Sequence, residues 1–171
     1  AILHLRLNEL EIGILIFKSR GHADRVLAHD GFLSEHSGHW LAREITLYWK
    51  RVLKRIDLTS RSLVAMIEPG SCFAGTLAEI IFACDRSYMA IGQLDGGHGT
   101  KARLALSSQN FGAYPMSNGL SRLETRFLGE PDSLEAAASA RGKSIPTDQA
   151  EALGLVTFAF DDIDWDDEIR L

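Results

Sequence analysis

From Gly70 to Glu79 the chain reads Gly-Ser-Cys-Phe-Ala-Gly-Thr-Leu-Ala-Glu, and this stretch holds residue types that could do chemistry. The branched apolar run Leu63-Val64-Ala65-Met66-Ile67 before it predicts a buried strand, broken at Pro69-Gly70. After the small-residue loop an apolar helix begins, with Glu79 one turn inside its start. A helix start behind a strand and a tight loop presents unpaired backbone N–H groups that can bind developing negative charge. Glu79 reads either as a proton- or water-handling carboxylate or as an acid favoured there by the helix dipole. Ser71 and Cys72 lie in the loop itself. Cys72, between strand and helix, has the placement of a nucleophile elbow, with Asp95 and His98 following in the order a hydrolase would need. An inert buried thiol is the other reading.

Other candidate groups are weaker. His22, His29, His36 and His39 invite a metal reading, and His36 and His39 would share a helical face, but no carboxylate or Cys completes a ligand spacing. No metal is expected. The segment from Gly92 to Gly99 lacks the spacing and the Lys-Ser/Thr ending of a phosphate loop, so no nucleotide cofactor is expected either.

The elements that must position these residues follow from periodicity. Glu11 to Lys18, with Ile12, Ile14, Leu15, Ile16 and Phe17, predicts a buried strand ending at Ser19-Arg20-Gly21, and residues 22–39 form a connection of mixed character. Trp40 to Ile56 predicts an amphipathic helix, with Leu41, Ile45, Tyr48, Val52 and Ile56 on one face. Arg86 to Ile91, Arg103 to Ser108 and Leu155 to Phe160 read as strands. Asn118 to Leu128, Asp132 to Ala140 and a short segment from Thr147 to Gly154 read as helices, and Cys84 falls inside the helix that follows the loop. Strands alternating with helices predict an α/β fold with a largely parallel, covered sheet.

The chain has 171 residues, 46% hydrophobic and 24% charged, enough for a core and ordinary for a globular domain. Its net charge of −5 argues against a nucleic-acid partner. No apolar run approaches the ~18–20 residues of a membrane span, and no signal-peptide pattern opens the chain. Two cysteines give no disulfide framework, and a cytoplasmic setting is expected. The acidic run from Asp161 to Glu168 reads as a solvated surface segment. The length leads us to expect one domain over 1–171, and the start at Ala1 and end at Leu171 a fragment or a processed product.

Three ordered motifs carry a resemblance. They are Val64-Ala65-Met66-Ile67 with Gly70 to Gly75, Glu79 and Cys84-Asp85; Phe111-Gly112-Ala113-Tyr114-Pro115 with Gly119-Leu120-Ser121-Arg122-Leu123; and Ala150-Glu151-Ala152-Leu153-Gly154-Leu155-Val156. Together they resemble the crotonase (enoyl-CoA hydratase/isomerase) superfamily over roughly Glu11 to Phe160. The resemblance implies a β-β-α spiral, here a partial domain, and chemistry on an acyl-CoA thioester. The wording Ile67-Glu68-Pro69-Gly70-Ser71-Cys72-Phe73-Ala74-Gly75-Thr76-Leu77, with Asp85-Arg86-Ser87-Tyr88-Met89 and Asn110-Phe111-Gly112, is similar to the second, C-terminal crotonase-like half of the benzoyl-CoA-dihydrodiol lyases. Those enzymes open the ring of an oxygenated benzoyl-CoA in aerobic benzoate degradation.

The family's enolate chemistry uses two N–H donors on the thioester oxygen. The resemblance assigns one to Gly75 or Thr76, makes Ser71 and Cys72 substrate-loop residues, and gives Glu79 one of two carboxylate positions. The second carboxylate falls at Ser108-Gln109, neither of which is a base, and His22 to Asp30 does not match the loop that gives the second donor. Lys18, Arg20 and Arg25 follow the first strand, where the family runs its CoA phosphates; a solvated basic turn is the alternative. CoA would enter only as part of the substrate. The other half of the same enzyme and a homo-oligomer are the implied partners.

Three readings result. The first is a domain of a ring-cleaving lyase. The second is a non-catalytic crotonase-like half that scaffolds a partner half or an oligomer. The third is a Cys-dependent α/β hydrolase.

Overall fold

The computed structural model describes residues 2–92 and 101–169. In chain order the elements are α1 (Ile2–Asn8), β1 (Ile14–Lys18), α2 (Ala23–Glu35), α3 (Trp40–Asp57), β2 (Ser62–Ile67), α4 (Gly75–Ala83), β3 (Arg86–Ala90) and β4 (Arg103–Ala105). A 3₁₀ turn at Ser108–Asn110 follows, then α5 (Arg122–Arg126), α6 (Pro131–Ser139), β5 (Ser144–Pro146), α7 (Thr147–Ala152), β6 (Phe158–Phe160) and α8 (Asp162–Glu168).

Four strands make one parallel sheet in the order β1-β2-β3-β6. The first strand, expected to be buried, is instead an edge strand of this sheet, with Ile14 and Ile16 exposed. The apolar run Leu63–Ile67 explains the inner place of β2, where all five of those residues are buried. Asp85 ties the end of α4 back to this strand: its carboxylate accepts from the Leu63 N–H at 2.8 Å, and its own N–H donates to the Leu63 carbonyl. At the β3–β6 border, Tyr88 stacks on Phe158 and Phe160 with ring centroids 5.4 and 5.9 Å apart.

The alternation read from the sequence is therefore the observed α/β architecture, with differences that have local causes. Residues 23–35 form the helix α2 rather than an irregular connection, yet only Asp30 and Leu33 of it are buried, so it carries little apolar periodicity. The strand expected to reach Ser108 stops at Ala105. There the Ser107 hydroxyl accepts from the Gln109 N–H at 3.1 Å and starts the 3₁₀ turn instead. β4 pairs antiparallel with β5, a three-residue strand with no sequence signal of its own. The helix expected from Asn118 begins only at Arg122. Gly119 has φ +90°, and a capping box between Ser121 and Glu124 sets the start. The last strand shrinks from Leu155–Phe160 to Phe158–Phe160.

The acidic run is at the surface as expected, with Asp162, Asp164, Asp167 and Glu168 exposed, but it is helical: it folds as α8, capped by the Asp161 carboxylate on the N–H groups of Ile163 and Asp164, with Trp165 only 5% exposed. Cys84 is a correction, since it lies in extended conformation at the C-terminal cap of α4 rather than inside the helix. Among the described residues no helix is long and apolar enough to cross a membrane.

Candidate active site

The side chains of Asp30, Ser107 and Tyr114 converge on the start of α4. Gly75 adopts φ +45°, which lets the chain turn into the helix with no side chain over its first turn. A carboxylate occupies that space. The Asp30 side chain, 1% exposed, comes from α2 and accepts from the Thr76 N–H at 2.8 Å and the Ser107 hydroxyl at 2.6 Å through Oδ2. Its Oδ1 accepts from the Thr76 hydroxyl at 2.6 Å. A Cβ at Gly75 would stand 1.9 Å from Asp30 Oδ2. The Thr76 Oγ1 is also 2.9 Å from the Tyr114 hydroxyl, whose proton it can accept because its own goes to Asp30. Burial pushes the Tyr114 phenol up to about 12. The nearest cationic candidate is the His29 ring, 3.9 Å away, so Asp30 is held mainly by neutral donors and the helix start.

Glu79, further along α4, is held in a buried cluster with Asn110 and Arg122. Its Oε1 accepts from Asn110 Nδ2 at 2.7 Å and its Oε2 from Arg122 Nη1 at 2.8 Å, with 1% of the residue exposed. The Arg122 guanidinium grips Asp57 bidentately, Nε to Oδ1 at 2.9 Å and Nη2 to Oδ2 at 2.7 Å, and also donates to the Tyr114 carbonyl. Asn110 adds a bond to the Gly75 carbonyl. Burial pushes Glu79 up to about 7, against Arg122 and Asn110, which favour the carboxylate.

The sequence candidates thus fall in different places. Gly75, Thr76 and Glu79 share α4: Thr76 bonds Asp30, Glu79 bonds Arg122 and Asn110, and Asn110 links the two groups through the Gly75 carbonyl and the Ser107 N–H. Ser108 is exposed at the 3₁₀ turn. Gln109 is buried and donates to Ser34 Oγ at 2.9 Å, while its Oε1 finds no partner among the described residues. Lys18 Nζ pairs with Glu68 at 2.6 Å; Arg20 and Arg25 are exposed. Cys72 is 7% exposed, against Gly21, and Cys84 has its thiol pushed up to about 12 by burial. Asp95 and His98 lie outside the described residues. His36 and His39 sit at the ends of two different helices, bonded to the Phe32 carbonyl and the Leu41 N–H.

A cleft of about 670 Å³ opens beside Ser71, with Gly21, His22, Asp24, Lys101 and Arg103 on its walls. Among the described residues, Gly75, Thr76 and Glu79 do not line it. Sequence reasoning missed Asp30, Asp57, Ser107, Asn110 and Tyr114 as site residues. Arg122 stood in a quoted motif without a role. Asp30 lay inside the segment that failed to match, which was the available signal.

No family model matches the chain. Over all 171 residues it is 45% identical to the benzoyl-CoA-dihydrodiol lyase of Aromatoleum evansii, of which it spans 30% of the length. Its fold matches an enoyl-CoA hydratase from Bacillus anthracis with a TM-score of 0.59 at 18% identity, covering 98% of this chain and 59% of that one. An enoyl-CoA hydratase/isomerase from Cupriavidus metallidurans CH34 gives 0.59 at 14% identity, covering 99% and 58%. The chain therefore has the crotonase fold and is, in sequence, a relative of benzoyl-CoA-dihydrodiol lyase.

Proposed function

We propose that this chain is a crotonase-fold portion of a longer, cytoplasmic lyase that cleaves a carbon–carbon bond in an aromatic-derived CoA thioester, as in aerobic benzoate breakdown. CoA enters as part of the substrate, with no separate cofactor. Within that enzyme this portion acts as the scaffold for a second crotonase-like half and for assembly, and the ring-opening chemistry is done elsewhere. One observation carries the division: both oxygens of Glu79 are taken by Arg122 and Asn110 beneath a closed surface. A carboxylate that moves a proton or water must reach the reacting atom, directly or through one water. The positions of the second family carboxylate, Ser108 and Gln109, supply no base to share the task.

The experiment is Glu79→Gln in the longer enzyme. A ring-opening rate within a few-fold of the parent supports the scaffold. A loss of ~10²–10⁴, the usual worth of a general acid or base, overturns it.

The cleft favours a second reading, in which this portion still holds the anionic part of the thioester between Lys101 and Arg103. In that case Lys101→Glu raises KM while leaving kcat in place.

A further inference from the structure

The Asp30 carboxylate occupies the place where an external oxyanion would meet the Thr76 N–H. Its donors are one backbone N–H and two hydroxyls, at 2.8, 2.6 and 2.6 Å, and it is 1% exposed. Gly75 has no side chain to compete for that space, and any Cβ there would collide with Oδ2 at 1.9 Å. The rest of α2 is weakly held. Of its thirteen residues only Asp30 and Leu33 are buried, and Ser34 adds hydrogen-bonding contacts to Gln109 and Ser108 at 2.9 and 3.4 Å. A helix with so few apolar anchors opens locally at low cost unless something polar holds it down.

We infer that α2 is a strap latched closed over the start of α4 by Asp30, which fills the oxyanion seat from within the chain and excludes other anions from the Thr76 N–H. The inference rests on reading Gly75–Thr76 as the inherited oxyanion seat. Release of the carboxylate frees α2 at its centre and exposes the N–H in one event. Asp30 is thus a positioning residue, and an external carboxylate can replace its charge but not its tether to α2.

The test uses amide hydrogen exchange on the longer enzyme, read over this chain's residues; it involves no turnover and so stands or falls apart from the Glu79 experiment. Asp30→Ala is expected to speed exchange across residues 23–35 by tenfold or more, with β2 and β3 unchanged. Added sodium acetate then restores protection at the Thr76 amide in the variant, while α2 stays open. Sodium chloride at equal ionic strength does not, and the parent responds to neither. Unchanged exchange in α2, or equal effects of acetate and chloride, overturns the latch. Should Asp30→Ala not fold, Asp30→Asn keeps the shape and gives the reading: faster exchange confined to α2 and the Thr76 amide is expected, and parent-like exchange there overturns the proposal.

Discussion

Glu79 and Arg122 meet at 2.8 Å with both side chains 1% exposed, and Asp57 closes the other edge of the guanidinium. One cation thus serves two buried carboxylates that come from α4 and the end of α3. The arrangement ties three helices together at the position where the resemblance places a reacting carboxylate.

Removing the cation is expected to be severe. Arg122→Met keeps much of the side-chain volume but leaves Glu79 and Asp57 buried beside each other with no positive charge. A loss of about 3–5 kcal/mol in urea unfolding is predicted, the range for breaking a buried pair on one side.

The pH dependence has a definite sign. Glu79 has a folded value of about 7 against 4.5 for the free group, so the folded chain holds its proton more tightly. Its contribution is fully present below pH 4.5 and is lost as pH rises through 7, at no more than ~1.4 kcal/mol per pH unit. Urea melts of the parent and Glu79→Gln from pH 4.5 to 7.5 isolate this slope. The parent should lose stability relative to the variant across the window.

Gly75 and Asp30 should show coupling. Gly75→Ala meets both the φ of +45° and the carboxylate 1.9 Å from its new Cβ. In the parent it is expected to cost more than ~2 kcal/mol, and in an Asp30→Ala background the ~1 kcal/mol of backbone strain and the displacement of the Ser107 hydroxyl, 2.8 Å from the new Cβ, should remain. A double-mutant cycle measures the difference.

The thiols should be silent in the folded chain. Cys72 is buried, and burial pushes Cys84 up to about 12. Reaction with a thiol reagent at pH 7.5 should be slow in buffer and complete for both in denaturant. Rapid labelling of Cys72 in the native chain would instead favour the Cys-dependent hydrolase.

The legible parts of the fold were those written in local pattern. Leu63–Ile67 is continuous and apolar because it is buried between neighbouring strands, and Gly75 is small because Asp30 and Ser107 close over it. The α2 helix was hidden by the same property that makes it a strap: two buried residues in thirteen leave no stripe to read. Ile163 and Trp165 are the apolar residues in an acidic run, and of the two Trp165 is buried and docks the helix. The site was less legible because its bonds are long-range. Asp30 meets Thr76 across 46 residues, and Arg122 meets Asp57 across 65 and Glu79 across 43. No spacing rule links such positions, so Glu79 was visible while the groups that occupy its oxygens were not.

The most direct test of the central claim is the pH profile of kcat/KM for ring opening by the longer enzyme, parent against Glu79→Gln, from pH 5 to 9. A carboxyl titrating near 7 that touched the substrate would put its own limb on the parent profile. The scaffold account predicts superimposable profiles differing by a few-fold at most. A parent limb near pH 7 that vanishes in the variant, with a ~10²-fold or larger loss of rate, would contradict it.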